Sequence, residues 1–178
     1  MKPAPFAYER VKTLDEALEV LTKFGENARI LAGGQSLMAT LNMRLSKPDI
    51  LIDINHIDDL TGIEDTGKNI RVGALTRHVE IETSELITKY VPLISKAVDH
   101  IAHPAIRNRG TFGGSIAFAD PAAELPACIL ALDATLELSS KSGVREIKAE
   151  NFFHGLYETA LQTNEILTAV SIPKITPG

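Results

Sequence analysis

The sequence is most informative at Ile30-Leu31-Ala32-Gly33-Gly34-Gln35-Ser36-Leu37, where an apolar run meets a glycine pair and then a serine. A second segment, Arg109-Gly110-Thr111-Phe112-Gly113-Gly114-Ser115-Ile116, places its glycine pair and serine similarly. A Gly-Gly step lets the backbone adopt positive φ and pass close to another group. Successive N–H groups exposed at such a step can bind an anion, particularly where a helix begins. The two segments indicate either tight turns or a cradle for a two-phosphate ligand such as a dinucleotide.

Other familiar motifs do not fit the spacing. No G-x-G-x-x-G follows a strand, and no Walker lysine follows either glycine pair. The run from Gly34 departs from a nucleophile elbow at its last position, Met38. His100 and His103 could share a helix face, but without a third ligand nearby they favour a helix terminus over a metal site. We therefore predict no catalytic side chain and no metal ligand.

Composition and charge exclude several classes of protein. The chain has 178 residues, of which 44% are hydrophobic, so we expect a packed core and exclude extended disorder. Its net charge is −5, and it contains no tryptophan, which argues against a nucleic-acid partner. The longest apolar run is far shorter than the roughly 20 residues that cross a bilayer, so no membrane span is predicted.

The cysteine content limits the redox groups that this chain could hold by itself. A single thiol, Cys128, excludes an internal disulfide and any iron–sulfur or zinc thiolate cluster built from this chain alone. No apolar signal segment follows Lys2, so no secretory signal is predicted. A cytoplasmic location is the default expectation.

The ends of the first two helices can be predicted from local signals. Thr13 and Glu16 form a capping box that starts a helix, and Gly25 is positioned to end it. Ser36 is positioned to cap the next helix. The apolar face of that second helix is predicted to carry Leu37, Leu41 and Leu45.

The remaining elements follow from periodicity, proline and turn residues. Further helices are predicted over residues 78–82, over 93–101 with Leu93 and Ile101 on its buried face, and over 122–130 after Pro121. The predicted strands are residues 29–32, 50–54, 62–64, 70–73, 135–138, 144–147 and 166–172. Because strands and helices do not alternate regularly, the pattern favours an α+β fold over a doubly wound sheet.

The two glycine segments together resemble the paired FAD-binding motifs of the molybdenum hydroxylase flavoprotein subunit. This is the medium subunit of carbon monoxide dehydrogenase, and it is similar to the flavin domain of xanthine dehydrogenase. The resemblance continues in family order and covers nearly all of the chain. It is carried by residues 6–11, 51–55, 70–76, 119–126 and 165–168.

The resemblance implies a two-lobed α+β FAD-binding domain. The first lobe is expected over residues 1–55 and the second over 56–178. In the family a smaller C-terminal flavoprotein domain follows, and we expect it to be absent from these 178 residues or supplied by a separate chain. Phe112, Ser115 and Glu124 stand where the family more often has Ile or Leu, Asn and Asp.

The resemblance also implies a set of FAD-binding residues. Backbone N–H groups of the two glycine segments would hold the pyrophosphate, and Glu124 would bond a sugar hydroxyl of the flavin. Ile101 would lie near the isoalloxazine, and Leu161 and Leu167 would close the ring site. The implied set is Ile30, Leu31, Ala32, Gly33, Gly34, Gln35, Ser36, Leu37, Ile101, Gly110, Thr111, Phe112, Gly113, Gly114, Ser115, Glu124, Leu161 and Leu167.

By the same resemblance, the function is that of an oxidoreductase subunit that transfers electrons. Its partners would be a molybdenum-containing large subunit and a small subunit with 2Fe–2S clusters, from which electrons pass through FAD to an external acceptor. Two alternatives stay open. The chain could be a free-standing FAD-dependent oxidoreductase, or a nucleotide-binding module without redox activity.

Overall fold

The first lobe is built around a parallel sheet of three strands in the order β1-β3-β2. The computed structural model describes residues 2–175 of the chain. Helix α1 packs on β2 and β3, and its buried side chains Ala17, Leu18 and Leu21 join the core of this lobe. The elements of this part are β1 (Ala7–Arg10), α1 (Leu14–Phe24), β2 (Ala28–Leu31), α2 (Leu37–Asn42) and β3 (Ile50–Asp53).

Helix α1 begins and ends as its local sequence predicts. The Thr13 side chain accepts from the Glu16 N–H at 3.2 Å, and the Glu16 carboxylate accepts from the Thr13 N–H, so the capping box is complete. Gly25 ends the helix with φ +52°, a conformation that glycine adopts without a Cβ penalty. Each end of α1 is therefore determined by residues only a few positions apart in the sequence.

The start and end of α2 differ from the prediction. Ser36 has helical dihedrals (φ −100°, ψ −45°) instead of the extended conformation of a typical cap, and its side chain makes no capping bond. The helix ends at Asn42, so Leu45 lies beyond it and is 73% exposed. The predicted apolar face is therefore wrong at Leu45, while Leu41 is buried as predicted.

The second lobe contains an antiparallel sheet of five strands in the order β4-β5-β10-β6-β7. All of its α-helices lie between β5 and β6, and they bury one core against the sheet. The strands are β4 (Ile63–Asp65), β5 (Asn69–Gly73), β6 (Thr135–Ser140), β7 (Gly143–Lys148), β8 (Phe153–Gly155), β9 (Glu158–Thr159) and β10 (Ile166–Pro173), of which β8 and β9 form a separate ribbon. The helices are α3 (His78–Glu82), α4 (Glu85–Tyr90), α5 (Pro92–Val98), α6 (Pro104–Arg107), α7 (Phe112–Phe118) and α8 (Glu124–Ala131).

Two predicted helices of this lobe start or end elsewhere. Helix α5 ends at Val98, so Ile101 is buried in the following turn, and Leu93 is 39% exposed instead of facing the core. Helix α8 begins at Glu124, because Asp120 accepts a bond from the Ala122 N–H at 2.9 Å and holds Pro121 in a preceding turn. The structure also contains β1, α4, α6, α7 and the β8–β9 ribbon, none of which the patterns predicted.

The lobes meet through apolar side chains. Leu60, Leu75 and Ile166 follow residue 55 in the sequence, yet they pack into the core of the first lobe. The division into residues 1–55 and 56–178 stays a prediction, and residues 176–178 lie outside the described part. Among residues 2–175, the helices are too short or too polar to span a bilayer.

Candidate functional site

The two glycine segments meet at the junction of the lobes. Gly33 follows β2 in the first lobe, and Gly110 precedes α7 in the second. A Cβ added at Gly33 would overlap the Arg109 carbonyl oxygen and lie 2.8 Å from the Gly110 Cα. Only glycine allows this backbone-to-backbone approach, so the close contact that the sequence suggested is one between the two segments themselves.

The first segment leaves consecutive backbone donors free. Gly34 has φ +71°, and the loop from Ala32 to Ser36 joins β2 to α2. Within residues 2–175, the N–H groups of residues 33–37 have no hydrogen-bond acceptor. The Gln35 side chain donates to the Gly33 carbonyl at 2.9 Å, which fixes the loop without occupying those N–H groups. This loop can therefore offer several donors to one anion.

The second segment uses its donors inside the chain. The Phe112 N–H donates to the Thr76 carbonyl at 2.9 Å, and the Gly113 N–H donates to the Ala74 carbonyl at 2.8 Å. Thr111 caps helix α7 by accepting from the Gly114 N–H at 3.2 Å. The sequence suggested that both glycine pairs expose N–H donors to a ligand. In the structure, only the first segment leaves such consecutive donors free among the described residues. The second pair allows α7 to pack closely on Ala74.

A polar crevice lies beside the first segment. A cavity of about 360 Å³ is lined by Gly33 and Gly34, by Arg10 and Asp53 at the ends of their strands, and by Arg109 from the second lobe. Burial raises the pKa of Asp53, but hydrogen bonds from the Tyr8 hydroxyl and from Asn55 outweigh it, so the net pKa is lowered. Asp53 is therefore a carboxylate bonded within the protein, and Arg10 and Arg109 are the basic residues that line the same crevice.

A hydrogen-bond network that the sequence interpretation missed crosses the junction. Arg77 donates to Asn55 Oδ1 at 2.6 Å and to the Arg109 carbonyl. The Asn55 side chain donates to the Ala32 carbonyl at 2.8 Å. The only signal in the sequence was that Asn55 ends one of the family-like segments and Arg77 directly follows another.

His78 is a second residue that the sequence did not point to. Its side chain is 5% exposed, and neither ring nitrogen has a hydrogen-bond partner within the described residues. A Cβ at Gly110 would lie 2.9 Å from its Nδ1 and Cε1 atoms, so the ring packs directly against the second segment. Burial lowers the pKa of His78, which keeps the imidazole neutral.

The comparisons with known proteins agree with this geometry. The family described as the FAD binding domain in molybdopterin dehydrogenase matches residues 4–175. The chain belongs to this family. The predicted resemblance and the predicted cofactor, FAD, are both confirmed.

Named relatives cover the whole chain. It is 42% identical over 178 residues to the 6-hydroxypseudooxynicotine dehydrogenase complex subunit alpha of Paenarthrobacter nicotinovorans, covering 100% of this chain and 60% of that one. It is 37% identical over 178 residues to the carbon monoxide dehydrogenase medium chain of Hydrogenophaga pseudoflava, and the match covers 100% of this chain and 62% of that one. A solved structure of carbon monoxide dehydrogenase from Hydrogenophaga pseudoflava matches with a TM-score of 0.97 at 38% identity, covering 100% of this chain and 62% of that one. The chain thus spans less than two thirds of the length of these relatives, and their structure confirms the α+β fold.

The donors at the junction fit the anionic part of FAD. A pyrophosphate needs several hydrogen-bond donors within a small volume, and the N–H groups of residues 33–37 supply them on one loop. Arg10 and Arg109 line the same crevice and contribute positive charge in a chain whose net charge is −5. These donors therefore fit an anion by local geometry, in a chain whose overall charge is negative.

The other predicted FAD-binding residues differ in how far their side chains are exposed to solvent. Glu124 at the start of α8, Leu161 and Ser115 are half-buried, so their side chains can reach a ligand. Phe112 is fully buried, Leu167 is 4% exposed and Ile101 is 9% exposed, so these side chains support the site from within the core. No cluster of His, Cys, Asp or Glu in the described part of the chain has the geometry of a metal site.

Proposed function

We propose that this chain is the FAD-binding portion of an electron-transfer subunit in a molybdenum hydroxylase-type dehydrogenase, and thus part of an oxidoreductase. The observation that carries the proposal is the junction itself. A loop with free N–H groups at residues 33–37 faces a crevice that both lobes line. The names of the relatives support the wider assignment, since they are subunits or chains of dehydrogenases.

The tasks of the protein in this proposal are binding, orientation and exclusion of water. The redox chemistry is supplied by FAD when it is bound. The loop of residues 33–37 holds the pyrophosphate by its N–H groups, and Glu124 accepts a hydrogen bond from a sugar hydroxyl. Buried apolar residues such as Leu167 and Ile101 exclude water behind the site. The other residues of 30–37 and of 110–115, apart from the buried Phe112, line the phosphates and the ribityl chain, and Leu161 closes the ring site.

The single thiol of this chain is consistent with the proposed partners. Its one thiol, Cys128, is 7% exposed in α8, and burial raises its pKa. It is a small packed side chain, and the iron–sulfur clusters would belong to another subunit. On the family relationship, we propose a molybdenum-containing large subunit and a small subunit with 2Fe–2S clusters as partners, and the cytoplasm as the location.

The glycine substitution that tests the proposal is Gly34→Val. Gly34 has φ +71°, and a Cβ there would lie 3.2 Å from the Leu31 Cδ1 atom, so valine must change the loop. Gly67→Val is the matched control, since Gly67 also has positive φ (+91°) but has open space around it in a distant hairpin. FAD titration, followed by quenching of flavin fluorescence, should show binding lost in Gly34→Val and kept in Gly67→Val.

The alternatives give different results in the same experiment. A chain that cannot be reconstituted with FAD would favour a nucleotide-binding module without redox activity. Direct reduction of the bound flavin by a small substrate, without partner subunits, would favour a free-standing oxidoreductase. Equal FAD binding by the wild type and Gly34→Val would contradict the assignment of the pyrophosphate to residues 33–37.

A further inference from the structure

Arg77 connects the two lobes at the point where the glycine segments meet. One terminal nitrogen of its guanidinium donates to Asn55 Oδ1 at 2.6 Å, and the other donates to the Arg109 carbonyl. Asn55 directly follows Ile54 at the end of the first-lobe sheet, and Arg109 is the first residue of the second glycine segment. The planar fork of an arginine suits two acceptors held at a defined spacing.

Asn55 carries this link to the first glycine segment. Its amide nitrogen donates to the Ala32 carbonyl at 2.8 Å and to Asp53 Oδ1 at 2.7 Å. The Asn55 side chain is thereby held between the end of β3 and the residue that precedes Gly33. A shift of the Arg77 guanidinium relative to Asn55 would therefore alter the hydrogen bond that Asn55 donates to the Ala32 carbonyl.

Arg77 and its partner Asn55 each hold a carbonyl group next to the close contact at Gly33. The Arg109 carbonyl, which Arg77 holds, is the group that leaves no room for a Cβ at Gly33. The Ala32 carbonyl, which Asn55 holds, belongs to the residue before Gly33. The Arg77 guanidinium therefore holds the second segment directly, through the Arg109 carbonyl, and the first segment indirectly, through Asn55.

The charges at this place also favour an anion. Burial lowers the pKa of Arg77, and the neighbouring positive charge of Arg109 lowers it further. Two guanidinium groups near each other repel, and an anion bound at the neighbouring loop of residues 33–37 would offset part of that repulsion. We therefore expect the hydrogen bonds of Arg77 to Asn55 and to the Arg109 carbonyl to be more stable when the phosphates are bound.

We propose that Arg77 is a positioning residue that sets the spacing of the two glycine segments and so prepares the loop of residues 33–37 for the FAD pyrophosphate. It acts through Asn55 and the Arg109 carbonyl and does not itself touch the cofactor. This inference rests on the proposed function, because it assumes that the junction receives FAD.

The test is a double-mutant cycle on FAD affinity with Arg77→Ala, Asn55→Ala and the double variant. Each single variant should weaken binding by about tenfold or more, as expected when a hydrogen bond to a charged group is lost. The double variant should lose less than the product of the two single losses, because both changes break the same link. Lys141→Ala is the matched control, since Lys141 also bridges the lobes, to Glu19 at 3.0 Å, but lies on the β6–β7 hairpin. It should keep wild-type affinity.

Arg77→Lys separates positioning from a direct charge contact. A lysine keeps the charge but cannot hold both oxygens in the fork geometry of arginine, so we expect no rescue and little added salt dependence. Full rescue by lysine, together with losses that multiply in the double variant, would make Arg77 a phosphate ligand and would overturn the positioning role.

Amide hydrogen exchange of the FAD-free chain gives a readout that does not involve the cofactor. The Phe112 and Ile54 N–H groups, which donate to Thr76 and Leu31, should exchange faster in Arg77→Ala than in the wild type. Unchanged exchange and unchanged FAD affinity would overturn the inference. Failure of the wild type to bind FAD would instead overturn the proposed function, and the exchange result would still decide whether Arg77 joins the segments.

Discussion

At the scale of single residues, His78 places a titratable group inside the second lobe without a hydrogen-bond partner among residues 2–175. Burial lowers its pKa below the ordinary value of 6.5, because the charged imidazole would lose its hydration. The unfolded chain then binds a proton at higher pH than the folded chain does. The folded state therefore has its full stability above about pH 6.5 and loses stability as the pH falls toward the lowered pKa.

We expect His78→Gln to weaken this acid dependence. Between about pH 7.5 and pH 5.5, the wild type should lose more of its free energy of unfolding than the variant does, by at most about 1.4 kcal/mol. Urea unfolding at the two pH values measures the difference. His154→Gln, which replaces an exposed imidazole, is the control and should behave like the wild type. Equal losses in the wild type and His78→Gln would mean that the buried imidazole is not held neutral.

At the scale of elements, the position of helix α7 depends on Gly113. A Cβ at this position would overlap the Ala74 Cβ atom and lie 2.7 Å from the Ala74 Cα atom, which belongs to the backbone beyond β5. Gly113→Ala should therefore destabilise the fold by about 2 kcal/mol, a typical cost of overpacking. Thermal unfolding measures the effect.

Gly155→Ala is the matched control for that substitution. Gly155 lies in the β8–β9 ribbon, and the nearest atom to an added Cβ is the Glu158 Oε2 atom at 3.4 Å, at the end of a flexible side chain. This variant should stay within about 0.5 kcal/mol of the wild type. A Gly113→Ala variant as stable as Gly155→Ala would show that α7 can move away from Ala74 at little cost.

At the scale of the whole molecule, the lobes share one apolar interface. Ile166 begins β10 of the second sheet, yet it is 3% exposed within the core of the first lobe. Ile166→Ala should cost about 3 kcal/mol, as for other large-to-small changes in a core. It should also speed amide exchange in β3 of the other lobe, which hydrogen-exchange mass spectrometry can measure.

Val144→Ala provides the comparison for the interface. Val144 lies on β7 at the edge of the same sheet and is 64% exposed, so its truncation should leave both stability and exchange in β3 unchanged. If Ile166→Ala lowered stability without affecting β3, the two lobes would unfold as separate units. The proposed FAD site would then depend on the cofactor itself to hold the two lobes together.

Much of the fold was determined by residues close together in the sequence. The capping box of Thr13 and Glu16, the helix end at Gly25 and the hairpin turn at Gly67 each depend on contacts over a few positions. Such contacts form from local propensity, so patterns in the sequence can predict them. The order of family-like segments likewise indicated an FAD domain, which the family match confirmed.

Only the tertiary structure decided which glycine segment keeps its donors free. The Phe112 and Gly113 N–H groups are bonded to Thr76 and Ala74, more than thirty positions earlier, while those of residues 33–37 have no such partner in the described chain. The same holds for Arg77, whose bonds reach Asn55 and Arg109. These partners are brought together when apolar surfaces are buried, and no local spacing records which distant carbonyl will lie next to a given donor.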